Sequence, residues 1–276
     1  MSESLSIGYS PCPNDCFIFY GLTHGRLGSG LDPLDTHLAD VEELNGLAVA
    51  GSIPVTKVSY HAFAHVSDRY LMLPAGGALG KGVGPLIVTR EPRDSLDGGR
   101  VAIPGGLTTA NLLLKLSQDD DIDYVEMRYD RIMPAVAAGE VDAGLIIHES
   151  RFTYRNLGLH RHLDLGEWWE ETTGHLLPLG GIAARRDLGL ERLHELNEAI
   201  RGSLRYSYEN EAEVAPYVAR HAQELSPEVR QQHIDLYVNE YSFDVGEAGK
   251  AAVRELFSRA AARKLIPSQP EGLFLE

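Results

Sequence analysis

The sequence contains few of the residues that build disulfide or metal frameworks. Only two of its 276 residues are cysteines, Cys12 and Cys16, which disfavours a disulfide framework. A zinc site at these two cysteines would need further ligands, and no second cysteine pair exists to supply them. The glycines around Lys81 are followed by neither the Ser or Thr of a phosphate-binding loop nor the helix of a dinucleotide site. We therefore expect no metal and no other cofactor.

Positive charge and long apolar runs are also scarce. The chain has 25 Lys and Arg against 40 Asp and Glu, which gives a formal net charge of −15. Such an acidic chain repels the phosphates of nucleic acids and the headgroups of anionic membranes. The first ten residues lack the features of a secretory signal, and no apolar run reaches the roughly 18 residues of a membrane span. These absences favour a cytoplasmic protein that acts on a small molecule, with no nucleic-acid or membrane partner.

Short apolar runs alternate with helix-like segments, whereas the last ninety residues are helical. This alternation is typical of βαβ units and predicts two α/β lobes with largely parallel sheets and a helical C-terminal part. We expect a larger, discontinuous lobe of residues 1–90 and 180–276 and a smaller lobe of residues 91–179. The helical part offers a surface for a homodimer. The predicted strands are 5–10, 35–39, 53–58, 70–74, 85–90, 100–103, 124–127 and 141–147, and a flexible or close-approach segment is predicted over 76–84.

Polar residues follow the first and third predicted strands, where ligands of such sheets bind. Residues 10–15 form a proline-fixed turn before a helix, and either Asn14 or Asp15 can cap that helix. The turn can bind an anion or serve only as a rigid connection. After the third strand, Ser59 can cap a helix or donate to a substrate carboxylate, and Lys57 adds one of only five lysines in the chain.

Two later strands also end in candidate site residues. Gly105 and Gly106 precede a predicted helix over 108–117, which Thr108 or Thr109 can cap. Free amides at such a helix start can bind a carboxylate or a phosphate. The buried run over 141–147 ends in His148, whose imidazole can take up and return a proton near neutral pH. An isolated histidine can equally be structural, so both interpretations stand at this point.

Six segments together resemble a known enzyme family. They are S-P-C-P-N-D at 10–15, T-K-V-S-Y at 56–60, G-G-A-L-G-K-G-V-G-P at 76–85, G-L-I-I-H-E-S-R-F-T-Y at 144–154, D-L-G-E-W-W-E-E-T-T-G at 164–174 and L-P-L-G-G-I-A-A-R-R-D-L-G at 177–189. The resemblance is to the 1,4-dihydroxy-6-naphthoate synthases of the futalosine route to menaquinone. It covers nearly the whole chain and implies a periplasmic-binding-protein type II fold, with the ligand in the cleft between two α/β lobes.

The resemblance also implies a reaction and a set of site residues. The family's substrate is cyclic dehypoxanthine futalosine, an aromatic carboxylate, and its products are 1,4-dihydroxy-6-naphthoate and a three-carbon fragment, dihydroxyacetone. The matching segments imply that His148 is the proton acceptor. The residues implied to bind substrate are Lys57, Val58, Ser59, Thr109 and Ala110. Two departures from the family's pattern are Cys16, in place of Thr, and the apolar turn 105–107.

Three other functions remain open at this point. A solute-binding protein for a small carboxylate would share the fold and the anion-binding turns, although His148 and the missing signal segment disfavour it. The chorismate dehydratase of the same pathway would share the fold as well, but the segments 144–154 and 164–169 favour the naphthoate synthase. A ligand-sensing regulatory domain is disfavoured by the net charge and by the lack of a DNA-binding helix-turn-helix.

Overall fold

The structure is a computed structural model that describes residues 5–28, 34–118, 121–222 and 226–276. Its strands are β1 Leu5–Tyr9, β2 Leu34–Leu38, β3 Val55–Ser59, β4 Tyr70–Gly80, β5 Leu86–Thr89, β6 Arg100–Ile103, β7 Asp123–Glu126, β8 Ala143–Ile146, β9 His160–Asp164 and β10 Leu177–Arg185. Its helices are α1 Pro13–Thr23, α2 Val41–Ala50, α3 Tyr60–Ala64, α4 Thr109–Ser117, α5 Tyr129–Ala138, α6 Ser150–Thr153, α7 Leu165–Thr173, α8 Leu190–Glu209, α9 Glu211–His221, α10 Pro227–Tyr237, α11 Glu240–Phe243 and α12 Gly246–Ala262. No helix among these residues is long and apolar enough to cross a membrane.

The strands form two five-stranded sheets. The first has the order β2-β1-β3-β10-β4 and the second the order β7-β6-β8-β5-β9. Helices accompany both sheets, in agreement with two α/β lobes, while the lobe boundaries at residues 90 and 180 stay a prediction.

Both sheets are mixed, so the prediction of largely parallel sheets is wrong. Strands β1, β2 and β3 pair in parallel, as do β6, β7 and β8. Strand β10 runs antiparallel to β3 and β4, and β5 runs antiparallel to β8 and β9. The reason is the path of the chain: β5 and β10 each follow a passage from one sheet to the other and enter the new sheet in the opposite direction.

The structure decides between the two alternatives predicted for the glycine-rich segment, in favour of close approach. Residues 76–80 are the second half of β4, which is buried along its whole length and pairs with β10. Gly76 has a φ of +83°, and a Cβ there would clash with the side chain of Ile182 on β10. The glycines therefore allow two strands to approach closely. They do not form a flexible connection over this half of the segment.

The first helix also begins differently from the prediction. Cys12 occupies its N-cap position without a side-chain hydrogen bond, and Pro13 is its first residue. Neither Asn14 nor Asp15 caps the helix, so that prediction is wrong. Asp15 instead accepts hydrogen bonds from the backbone N–H and the hydroxyl of Ser10, at 3.2 Å and 2.7 Å. The turn thereby places two polar side chains beyond the end of β1.

Candidate active site

One cavity lies between elements of the two sheets. The turn after β1, the end of β3 and strand β10 line one side, and the start of α4 and the turn after β8 line the other. The residues predicted to form the site all line this cavity: Lys57, Val58, Ser59, Thr109, Ala110 and His148. The structure thus brings together residues that lie up to 91 positions apart in the sequence, although their roles stay a prediction.

Ser59 ends β3 and points a polar side chain towards the cavity. It occupies the N-cap position of α3 but makes no capping hydrogen bond with its side chain. Its backbone N–H donates to Oδ1 of Asn45 at 2.9 Å, and its hydroxyl accepts from Nδ2 of Asn45 at 3.3 Å. Ser59 therefore does not cap α3 with its side chain, which was one of its two predicted roles. Its backbone N–H is already hydrogen-bonded within the protein.

The start of α4 forms the opposite side. The hydroxyl of Thr108 caps the helix by accepting from the N–H of Asn111 at 3.1 Å, as predicted for this position. Thr109 and Ala110 are then the first two residues of the helix, and N–H groups at such positions have no partner within a helix. The hydroxyl of Thr109 donates to the carbonyl oxygen of Leu179 at 2.6 Å. Thr109 therefore offers its backbone N–H to a ligand, while its hydroxyl joins the two sheets.

Lys57 forms a buried ion pair. Its Nζ lies 3.0 Å from Oδ1 of Asp15 and donates to the carbonyl oxygen of Gly76 at 3.0 Å. The side chains of Lys57 and Asp15 are only 7% and 3% exposed. Buried charges of this kind are stable only when paired. Lys57 therefore lines the cavity with an ammonium group whose charge is already balanced by Asp15.

His148 lies two residues beyond β8 in a strained backbone conformation. Its φ is +56°, in the left-handed region that residues other than glycine rarely adopt. Its Nδ1 lies 3.5 Å from the Sγ of Cys12, and the ring of Tyr129 packs edge-on at 5.0 Å between centroids. Burial lowers the pKa of His148 to about 4, while Asp15 and Asp40 act in the opposite direction. The imidazole is thus neutral at neutral pH, which is the form that can accept a proton.

A second histidine, His233 on α10, also lines the cavity and was not predicted. Its Nε2 lies 3.0 Å from Oδ1 of Asn14, whose Nδ2 donates to Asp15 at 3.0 Å. Because the carboxylate of Asp15 can only accept, the amide of Asn14 must present its oxygen to His233. The Nε2 of His233 therefore carries a hydrogen. Burial and the nearby His148 lower the pKa of His233 well below its usual value.

No residue pattern near His233 indicates its place in the site. The segment P-E-V-R-Q-Q-H-I-D-L-Y is polar and contains no catalytic motif. The only available signal is helical spacing, since His233, Ile234 and Tyr237 are the buried residues of α10 and share one face. That signal predicts a buried face, which is more often packing than function.

Two further contacts join the sheets at the edge of the cavity. The carboxylate of Glu42 on α2 accepts the backbone N–H of Leu107 at 2.9 Å, and Thr108 presents its carbonyl oxygen to Nδ1 of His61 at 3.3 Å. Burial raises the pKa of Glu42, and the hydrogen bond from Leu107 opposes that shift. Among the described residues, no group of three or more His, Cys, Asp or Glu side chains could hold a metal ion.

Comparison with known proteins identifies the family. Residues 5–262 match the family model described as menaquinone biosynthesis. The chain belongs to the menaquinone-biosynthesis family. Two curated relatives in this family are named 1,4-dihydroxy-6-naphthoate synthase. The relative from Thermus thermophilus is 55% identical over 273 residues, covering 99% of this chain and 100% of the relative. The relative from Streptomyces coelicolor is 49% identical over 272 residues, covering 97% and 96%.

Solved structures confirm the expected fold for this menaquinone-biosynthesis enzyme. The crystal structure of a protein from Archaeoglobus fulgidus matches with a TM-score of 0.92 and 41% identity, covering 96% of this chain and 99% of that chain. The periplasmic aliphatic sulphonate-binding protein of Escherichia coli matches with a TM-score of 0.65 and 13% identity, covering 98% and 91%. At that identity the likeness concerns the fold alone, which is the periplasmic-binding-protein fold.

Proposed function

We propose that this enzyme is a lyase that converts cyclic dehypoxanthine futalosine into 1,4-dihydroxy-6-naphthoate and dihydroxyacetone. One observation carries the proposal: residues positioned by both sheets line the same cavity. They are Ser59 at the end of β3, Thr109 and Ala110 at the start of α4, and His148 after β8. The names of the Thermus and Streptomyces relatives support the same reaction. The reaction belongs in the cytoplasm, and a homodimer through the C-terminal helices stays a prediction.

In this proposal the substrate carboxylate binds at the start of α4. The backbone N–H groups of Thr109 and Ala110 are unused by the helix, and the positive end of the helix dipole attracts an anion. The hydroxyl of Ser59 adds a third donor. Because Lys57 is paired with Asp15, it contributes positive potential to the cavity rather than a free cation. A protein of net charge −15 binds an anion through these local donors.

His148 then accepts a proton from the substrate, next to a carbonyl or from a hydroxyl. The bond to the three-carbon fragment breaks, its electron pair leaves with the fragment, and the fragment takes up one proton. Formation of the aromatic ring supplies much of the driving force. The protein contributes positioning and proton transfer, of which proton transfer is worth about 10²–10⁴-fold in rate. The contact from Thr109 to Leu179 links the two sides of the cavity.

The test is a reaction of the purified protein with cyclic dehypoxanthine futalosine, followed by mass spectrometry of both products. We expect 1,4-dihydroxy-6-naphthoate and dihydroxyacetone in equal amounts. Chorismate serves as the matched control substrate, and its consumption in place of the futalosine derivative would favour the dehydratase. Tight binding of a small carboxylate with no product from either compound would contradict an enzymatic function and favour a solute-binding protein.

A further inference from the structure

Asn45 on α2 lies behind Ser59 and is fully buried. Its Oδ1 accepts the backbone N–H of Ser59 at 2.9 Å, and its Nδ2 lies 3.3 Å from the hydroxyl oxygen of Ser59. The orientation of this amide is unambiguous, because a backbone N–H can only donate and must face the oxygen. The Nδ2 of Asn45 is therefore the donor to the hydroxyl of Ser59.

This contact decides where the hydroxyl hydrogen of Ser59 can point. A serine hydroxyl has one hydrogen and two acceptor lone pairs, and Asn45 occupies one of those lone pairs. The hydroxyl oxygen accepts no N–H of α3, since Ser59 makes no side-chain capping bond. Because Ser59 lines the cavity, its hydrogen is left to donate to a ligand there.

Glu42, on the same helix, holds Asn45 in place and reaches the second sheet. Its Oε2 accepts from Nδ2 of Asn45 at 3.0 Å, and its Oε1 accepts the N–H of Leu107 at 2.9 Å. Gly105 has a φ of +152°, and a Cβ there would clash with the carboxyl group of Glu42. A continuous series of hydrogen bonds thus runs from Ser59 through Asn45 and Glu42 to the turn that precedes α4.

We propose that Asn45 is a positioning residue for substrate binding: it directs the hydroxyl hydrogen of Ser59 to the substrate carboxylate. Glu42 fixes Asn45 in this orientation and holds the 105–107 turn of the opposite sheet beside it. The inference rests on the proposed function, in which the carboxylate binds between Ser59 and the start of α4. It adds that Asn45 and Glu42, both on α2, hold Ser59 and the 105–107 turn in place.

The substitution Asn45→Asp tests this role with a change of one side-chain group. An aspartate at this position still accepts the N–H of Ser59, but it can no longer donate to the hydroxyl of Ser59 or to the carboxylate of Glu42. It accepts the hydroxyl hydrogen instead and turns it away from the cavity. Losing a hydrogen bond to a charged group corresponds to a roughly 10- to 100-fold weaker binding of the carboxylate. We expect KM to rise by that factor and kcat to change little.

A double-mutant cycle with Ser59→Ala separates positioning from simple charge repulsion. We expect Asn45→Asp to raise KM by a clearly smaller factor when Ser59 is already alanine, and the remaining effect acts through Glu42. An equal effect in both backgrounds would overturn the inference. The matched control is Asn197→Asp, because Asn197 is also buried and accepts a backbone N–H, that of Ala75 at 2.9 Å. Should Asn45→Asp fail to fold, Glu42→Gln weakens the hold on Asn45 and is expected to raise KM by a smaller factor.

Equilibrium binding distinguishes failure of this inference from failure of the proposed function. The probes are 1,4-dihydroxy-6-naphthoate and 1,4-dihydroxynaphthalene, which lacks the carboxylate, measured by calorimetry without oxygen. We expect Asn45→Asp to weaken binding of the first probe only. That result with no turnover by the wild type would leave the inference standing and remove the proposed reaction. Turnover by the wild type, with Asn45→Asp weakening both probes equally, would support the proposed reaction and overturn the role of Asn45.

Discussion

The Sγ of Cys12 lies 3.5 Å from Nδ1 of His148, so the partner of the candidate base is a thiol and not a carboxylate. Burial raises the pKa of Cys12 well above its usual value, and Glu149 adds to that shift. The sulfur therefore stays protonated and uncharged. For Nε2 of His148 to accept a proton from the substrate, Nδ1 must carry the hydrogen of the neutral ring and donate it to the sulfur.

Removal of this sulfur is expected to slow the reaction without weakening binding. Cys12→Ala leaves Nδ1 without a partner, and loss of such a supporting contact costs about 10-fold or more in activity. We expect kcat to fall and KM to stay nearly constant. Cys12→Ser, which keeps an acceptor at this position, is the control and should retain more activity. Nitrogen chemical shifts of His148 report the tautomer, and an unchanged kcat in Cys12→Ala would show that the contact has no part in catalysis.

The pKa of His148 is expected to set the pH dependence of activity. Because burial lowers this pKa to about 4, the imidazole is unprotonated at neutral pH and is lost as a base only when the pH falls through that value. We expect kcat/KM to stay level from about pH 8 to pH 5 and to decline below. Tryptophan fluorescence at each pH verifies that the chain is folded. An acid limb near pH 6.5, the ordinary value of a histidine, would contradict the lowered pKa of His148.

The buried pair of Lys57 and Asp15 is expected to contribute strongly to the free energy of unfolding. Lys57→Met leaves the carboxylate of Asp15 buried without its counter-charge, which costs about 3–5 kcal/mol in the free energy of unfolding. The double variant Lys57→Met with Asp15→Asn removes both charges and should recover part of that loss. Urea unfolding of the three proteins measures the effect. Equal stability of the single variant and the wild type would contradict the ion pair.

The hydroxyl of Thr109 is expected to matter for joining the sheets rather than for contacting substrate. It donates to Leu179 at 2.6 Å, and Thr109→Val removes the donor while keeping the shape of the side chain. We expect KM to rise by about 10-fold, because the part-buried carbonyl oxygen of Leu179 loses the hydrogen bond that links it to α4. Thr109→Ser keeps the hydroxyl and should behave like the wild type. Identical kinetics for the valine and serine variants would exclude this role.

The sequence predicts much of the fold and the site because the site follows simple rules of α/β sheets. Ser59 and His148 follow strand ends, and Thr109 follows a glycine-containing turn at a helix start. Strand β10 is not predicted from the sequence, because Pro178 and the two nearby glycines interrupt its apolar pattern. Its antiparallel place between β3 and β4 depends on contacts with β4, about 100 residues earlier in the chain.

The supporting residues could not be predicted, because only tertiary packing brings them to the site. Asn45 is one polar residue in a helix of mixed pattern, and His233 lies 85 positions after His148 on a polar helix. In the sequence, Cys12 offers a signal only for a disulfide or a zinc site, although its contact is with His148. In each case the residue contacts a partner at least 14 positions away in the sequence, and no local spacing indicates such a pairing.

The role of His148 is tested most directly by single-turnover kinetics of His148→Gln beside the wild type with cyclic dehypoxanthine futalosine. Glutamine keeps a polar side chain of similar size but cannot take up a proton. The account predicts that the rate of naphthoate formation falls by about 10²–10⁴-fold while the substrate still binds. Naphthoate formation by the variant at the rate of the wild type would contradict the assignment of His148 as the proton acceptor.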